Sequence, residues 1–324
     1  MERIRSPGAG ELGRLNKPIV VACDLFHRTK GWRQRAGDNV AARWWFLEEE
    51  GKVKKSSDQG LFPKDWGLEK RVKALAEAGF DGVELVIGAD VLPVGAGSDE
   101  VAKVRRLVEA SGLAVSAGRG GGFGNDLSSP DRRVRAKALE SVEWYFKAVN
   151  ELGCDAVLMV LGHVTEEVRH DQAMDIAHEA ARELLPIAER FGVHVCLEPV
   201  WPKYGGSFIE PLGLRDFIDE FDNEYLRAYF DVGNVLVWTF PQHWIRILGE
   251  RIYRVHVKDF RTDIGNIQGF THLLHGDVPW RNVMAAFREI GYDGWITCEL
   301  PPLRGDPEEG IRDTSKALDL IFAM

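Results

Sequence analysis

No stretch of the 324-residue sequence approaches the ~18 consecutive apolar residues of a membrane span, so none is expected. The N-terminal run MERIRSPGAGELGRLNKP carries charge but lacks an apolar h-region, which argues against a signal peptide and for a cytoplasmic protein. Basic residues are in deficit. Lys+Arg number 41 against 50 Asp+Glu, a net charge of −9, which argues against a broad basic surface for a nucleic-acid backbone. Cysteine is scarce too: Cys23, Cys154, Cys196 and Cys298 sit far apart in apolar runs with no CxxC spacing. Buried reduced thiols are expected, and neither a disulfide framework nor a zinc ribbon. The glycine fingerprint of a dinucleotide fold is absent after the first strand candidate, which continues ACDLFHRTKGW, and there is no P-loop.

What is present is an alternation running from end to end: a short β-branched run, a polar or Gly-rich loop, then a helical pattern. The spacing predicts strands at 18–24 (PIVVACD), to Ile87 (GFDGVELVI), 113–117, 156–162, 193–199, 227–231, 252–259 and 294–300. Helices are predicted near 65–78, 99–111, 131–152, 170–191, 211–221, 241–249, 280–290 and 308–323. Strands separated by helical crossovers run parallel, and right-handed crossovers close eight of them into a (β/α)8 TIM barrel, an α/β fold. An open doubly wound sheet is the alternative, but it lacks its glycine signature here.

Residues 1–324 are thus read as a single barrel with two excursions. The first is a long lid-like insertion after strand 1, residues 25–64, whose Trp32, Trp44, Trp45 and Phe46 make disorder a poor reading. The second runs from Arg261 to Val278 and carries His272 and His275. Both follow strands, so both belong to the C-terminal face, where barrel active sites lie.

Polar residues at the C-terminal ends of the strands then mark the site. Strand 5 ends VHVCLEP with Glu198, strand 6 ends AYFD with Asp231, strand 7 holds His256 in RVHVKD, and strand 8 ends ITCEL with Glu299. One acid at a strand end is ordinarily a cap or a salt-bridge partner. Four such groups on consecutive apolar strands are a different matter, because unpaired buried charge costs several kcal/mol. A divalent cation neutralises three converging carboxylates most simply. An oxygen-rich set with one nitrogen suits Mn²⁺ first, with Mg²⁺ or Co²⁺ as alternatives.

The runs GFDGVEL, LEP, FDVGN, VHVKD and GYDGWITCEL resemble the xylose-isomerase-like TIM-barrel superfamily. Within it, YFDVGNVLVW, VHVKDF and DVPWRNVMAAFREIGYDGWITCEL are most similar to the ketose and ketose-phosphate 3-epimerases, including L-ribulose-5-phosphate 3-epimerases. The resemblance extends from about Pro18 onward, apart from residues 25–64. It implies that Glu198, Asp231, His256 and Glu299 bind one metal ion and that Glu198 and Glu299 are also the acid/base pair. The activity it implies is that of a metal-dependent isomerase or epimerase moving a proton beside the carbonyl of a ketose or keto-sugar through an enediolate. The superfamily's branch resembling endonuclease IV needs further histidines on strands 2, 3 and 6, and VELVIG, VSAGRG and FDVGN contain none. The phosphate-associated GxG loop reads LLHGDVPW, which weakens the expectation of a phosphorylated substrate.

Glu84, Arg119, Lys203, Lys258, Arg261 and His275 are candidate substrate-binding residues, with the Gly118–Gly124 run shaping the pocket. His163, in VLGHV after strand 4, is a further candidate acid/base. With the Trp-rich insertion it also resembles the metal-dependent C-glycoside deglycosidases, lyases acting on 3-oxo-glycosides together with a small partner subunit. The third reading is a non-catalytic barrel binding a sugar or partner. The expected partner is a small-molecule sugar or glycoside, with neither nucleic acid nor membrane, and the resemblance implies a homo-oligomer.

Overall fold

The computed structural model describes residues 53–89, 91–201, 206–303 and 305–324, all within the unit Glu49–Met324. The strands are β1 (Lys54–Ser57), β2 (Gly82–Ile87), β3 (Ala114–Gly120), β4 (Ala156–Met159), β5 (His194–Leu197), β6 (Leu226–Asp231), β7 (Ile252–Val257), β8 (Asp259–Phe260), β9 (Phe270–Thr271) and β10 (Trp295–Cys298). Eight of them form a closed barrel in the order β1-β10-β7-β6-β5-β4-β3-β2. Every barrel pairing is parallel, and β8 pairs with β9 antiparallel outside the barrel. Parallel neighbours need crossovers, supplied here by α1 (Leu68–Glu77), α2 (Ser98–Ala110), α3 (Arg132–Glu151), α4 (His170–Phe191), α5 (Pro211–Glu220), α6 (Val232–Leu236), α7 (Pro241–Leu248), α8 (Trp280–Glu289) and, after the last strand, α9 (Pro307–Phe322). The expected TIM barrel is what the chain forms.

The local signals explain the elements. In β2, Val83, Leu85 and Ile87 are buried and so is Glu84 between them, as in a strand covered on both faces. Helix α4 buries Ala173, Ile176, Ala177, Ala180, Ala181, Leu184 and Ala188, a 3–4 spacing that lays one stripe on the sheet. Its exit is Gly192 at φ 63°, the left-handed cap that glycine adopts without a Cβ clash. Asp131 opens α3 and Asp306 opens α9, each side chain accepting from a free backbone N–H of the first turn. Cys154, Cys196 and Cys298 are buried free thiols, as expected, while Cys23 lies outside the described residues.

One element differs from expectation. The strand that closes the barrel is Lys54–Ser57, and the predicted first strand, 18–24, is not among the eight; it lies outside the described residues, as do Trp32, Trp44, Trp45 and Phe46. Residues 25–64 therefore are not an insertion after strand 1, since β1 itself lies within them. The cause is the composition of KKSS, which has no β-branched or aromatic residue. Its stability comes from polar contacts. Lys55 Nζ meets Asp319 at 2.7 Å and Ser315 Oγ at 2.9 Å on α9, and Ser56 Oγ lies 2.7 Å from Ser116 Oγ on β3.

Candidate active site

Seven of the eight barrel strands contribute a polar side chain to one cluster, six of them at or near their C-terminal ends and one, Glu84, from mid-strand. Glu84 and Arg119 come from β2 and β3, Asp231 from β6 and His256 from β7, while Asp58, Glu198 and Glu299 directly follow β1, β5 and β10. Register sets these neighbours: Asp231 is aligned with His256, and Thr297 with His256 on the other side. Glu84, Asp231 and His256 are fully buried.

His256 sits at the centre. Its Nδ1 lies 3.1 Å from Glu198 Oε1, 3.6 Å from Glu299 Oε2 and 3.9 Å from Asp231 Oδ2. Its Nε2 lies 3.0 Å from Glu84 Oε2, and the Tyr229 hydroxyl donates to that same oxygen. One donor atom from each of Glu198, Asp231, His256 and Glu299 falls within 4.8 Å of all the others. That set, three carboxylate oxygens and one imidazole nitrogen, is the group of described residues that could hold a metal ion. Asp231 also caps α6, accepting from Asn234 N at 2.7 Å, and Asn234 Nδ2 donates to Pro199 O at 3.2 Å.

Two cations answer the acids. Lys258 Nζ is 2.5 Å from Asp231 Oδ2 and also pairs with Glu299. Arg119 Nη2 donates to Asp58 Oδ2 at 2.7 Å, Nε lies 3.2 Å from Glu84 Oε1, and Nη1 is 3.5 Å from Glu299 Oε1. Asp58 is held in turn by the Gly60 N–H at 3.0 Å.

This arrangement separates the two glutamates electrostatically. Burial pushes the Glu198 carboxyl up to about 7; Glu299 and Asp231 add to the shift and the His256 hydrogen bond opposes it. Burial also disfavours the Glu299 anion, but Lys258, His256 and Arg119 outweigh it and hold that carboxyl well below the usual carboxylate range. For His256, burial alone would lower the pKa; Glu84, Glu299 and Glu198 reverse this and raise it well above the usual histidine value. The same fold position thus gives one carboxyl inclined to keep its proton beside one kept ionised.

Above the floor opens a cavity of about 1230 Å³. Of the sequence candidates, Arg119, Lys258, Glu198 and Glu299 line it. Glu84 does not: it is sealed beneath His256 and touches side chains of the site, so the expectation that it binds substrate is corrected to an internal partner of His256 and Arg119. Arg261 is outside the lining, exposed and paired with Asp263 at 2.8 Å, and the exposed His275 is outside it as well. The extension does border the pocket, but through Ile267, Gln268, Phe270, Thr271 and His272 rather than through Arg261 or His275. Lys203 lies outside the described residues. His163 follows β4, is half-buried and is not among the lining residues. Sequence reasoning missed Asp58, which fell inside the supposed insertion, and Asn234, although it stands in the FDVGN run that carries the family resemblance.

A family model described as a xylose isomerase-like TIM barrel matches residues 72–321. The chain is 25% identical over 200 residues to the uncharacterized protein MJ1311 of Methanocaldococcus jannaschii, a match covering 60% of this chain and 64% of that one. It is 23% identical over 247 residues to the D-psicose 3-epimerase of Ruminiclostridium cellulolyticum, covering 73% and 80%. The fold is shared with the crystal structure of a 3-keto-D-glucoside 4-epimerase from E. coli, at TM-score 0.68 and 19% identity, over 84% of this chain and 100% of that one. The chain belongs to the xylose isomerase-like TIM barrel family.

Proposed function

We propose that the protein is a divalent-metal-dependent sugar isomerase or epimerase that moves a proton beside a carbonyl, on a ketose or keto-sugar, through an enediolate. The observation that carries this reading is the convergence of Glu198, Asp231, His256 and Glu299 within 4.8 Å, with Glu198 and Glu299 lining a large cavity and Asp231 and His256 buried behind them. The donor set fits the ion. Three oxygens and one nitrogen suit Mn²⁺, with Mg²⁺ or Co²⁺ as alternatives, and Glu84 on Nε2 turns Nδ1 of His256 toward the carboxylates. When bound, such an ion polarises a carbonyl and lowers the energy of the neighbouring oxyanion.

The protein's own groups handle the proton. Glu299, kept ionised and open to the cavity, takes the proton from the carbon beside the carbonyl. Glu198, the second glutamate of the set and also open to the cavity, returns a proton to the carbon from the other face. Lys258 holds the Glu299 carboxylate in place, and Arg119 faces the cavity beside it. The names of the similar proteins, a psicose 3-epimerase and a keto-glucoside 4-epimerase, agree with this chemistry.

The deciding experiment is incubation with Mn²⁺ and a panel of ketoses, ketose phosphates and 3-oxo-glycosides in D₂O. Deuterium uptake beside the carbonyl and epimer formation are expected, while release of an aglycone would favour the lyase. Glu299→Gln should cut exchange by about 10²–10⁴-fold. Wild-type exchange in that variant would refute the assignment.

A further inference from the structure

The Gly-Arg-Gly run at the end of β3 brings one guanidinium to the place where four strands meet. Gly120 sits at φ 99°, and a Cβ there would stand 2.6 Å from Ile87 O. A Cβ on Gly118 would meet Val149 Cγ2 of α3 at 2.9 Å. Glycine on both sides thus lets β3 close tightly on β2 and α3. Arg119 is aligned with Val86, two residues past Glu84, so Arg119 and Glu84 project to the same side of the sheet. From β3 the side chain spans β2, β1 and β10, which are consecutive around the barrel.

A guanidinium is planar and rigid, so fixing two of its nitrogens dictates where the third stands. Nη2 donates to Asp58 Oδ2 at 2.7 Å, and Nε lies 3.2 Å from Glu84 Oε1. Both anchors are themselves held. Glu84 is fully buried, with Tyr229 and His256 on its other oxygen, and the buried Asp58 accepts from the Gly60 N–H. Nη1 is thereby placed 3.5 Å from Glu299 Oε1, an ion-pair distance.

Glu299 is the member of the converging set that packing holds least. Its side chain is 28% exposed, against 0% for Asp231 and His256 and 7% for Glu198. Lys258 pairs with Oε2, and that contact alone would leave the carboxylate free to pivot about one oxygen. The second contact, on Oε1, sets the plane of the group and the direction its lone pairs take toward the cavity. The sequence offered Arg119 as a substrate contact. We propose instead that Arg119 is a positioning residue, which orients the Glu299 carboxylate for proton abstraction and is itself anchored by Asp58 and Glu84. This rests on the proton-transfer reading and names the group through which its base is aimed.

Arg119→Lys keeps the charge and loses the fork, so it separates orientation from simple attraction. In crystal structures of wild type and variant, Glu299 should turn or occupy two conformers in the variant, while Glu198, Asp231 and His256 stay in place. Deuterium uptake from D₂O with Mn²⁺ supplies the kinetic arm, on D-fructose, D-psicose and methyl 3-oxo-β-D-glucopyranoside. On whichever of these wild type exchanges, kcat should fall about 10–100-fold, the scale of a misplaced catalytic group. KM should stay within about threefold. Asp58→Ala, which releases Nη2 and leaves Arg119 present, should lower kcat by about tenfold. Adding Arg119→Lys to it should cost less than in wild type, because the two side chains act as a unit. An unmoved Glu299, a raised KM at wild-type kcat, or full additivity of the two substitutions would each overturn the proposal. A wild type that exchanges none of the three compounds would overturn the proton-transfer reading, and the crystal structures would then decide by themselves whether Arg119 orients Glu299.

Discussion

Glu84→Gln is the sharpest probe of how the site is assembled, because Glu84 touches no substrate-facing surface and yet contacts three site residues. Its carboxylate accepts from the Tyr229 hydroxyl and meets His256 Nε2 at 3.0 Å and Arg119 Nε at 3.2 Å. A glutamine keeps one acceptor and turns an N–H₂ toward what is otherwise a donor, so at least one buried charged partner is left facing a donor. Breaking a buried ion pair on one side typically costs about 3–5 kcal/mol, and loss of the carboxylate behind a ligand histidine weakens metal binding about 10–100-fold. Urea unfolding and Mn²⁺ titration calorimetry on the same sample measure the two effects. Tyr229→Phe, which removes a single hydrogen bond, should cost about 1 kcal/mol and serves as the graded control. A Glu84→Gln protein with wild-type midpoint and Mn²⁺ affinity within about twofold of wild type would refute the reasoning, since partners that orient a ligand histidine normally matter about tenfold or more.

Three further outcomes follow from the same geometry. Burial raises the Glu84 carboxyl pKa, but His256 and Arg119 outweigh it and leave it below the usual value; its stabilisation is present at neutral pH and lost as pH falls through the lowered value, so Glu84→Gln should flatten the acid limb of a pH–stability curve. Trp244, fully buried in α7 and stacked on Phe230 with ring centres 6.2 Å apart, should cost about 3–5 kcal/mol in urea when truncated to alanine, and a loss under ~1 kcal/mol would contradict its place in the core. His163→Ala should keep deuterium exchange near wild type, because His163 stands outside the cavity lining; a hundredfold loss would return it to the chemistry and strengthen the lyase reading.

Legibility in the sequence followed burial. Strands two to eight announced themselves because apolar, β-branched runs such as GVELVI and IYRVHV must be covered on both faces. The same apolar runs made Glu198, Asp231, His256 and Glu299 conspicuous, and these are the four whose donor atoms converge. Strand β1 was hidden because KKSS is held by side-chain polar contacts that no local pattern encodes, while PIVVACD offered a stronger local signal. Asp58 went with it, since a carboxylate placed in a loop has no reason to be noticed. For Glu84 the sequence shows the place and misleads about the role. Strand position tells that a residue points into the barrel, and only three-dimensional depth tells whether substrate can reach it.

The polar first strand carries a consequence for how this barrel comes apart. β1 is four residues long and meets β2 at only two aligned positions, Ser56 with Gly82 and Ser57 with Val83. With little apolar surface to bury, this seam is one place for a sub-global opening, the kind that hydrogen exchange detects below the global unfolding energy, beside β3–β4 with its single aligned pair. Asp58 rides on the end of β1 and anchors the Arg119 guanidinium. Unzipping the seam would therefore cost Arg119 its Asp58 partner while Glu84 and Glu299 still hold it, so an opening of the ring there would also loosen the floor of the site.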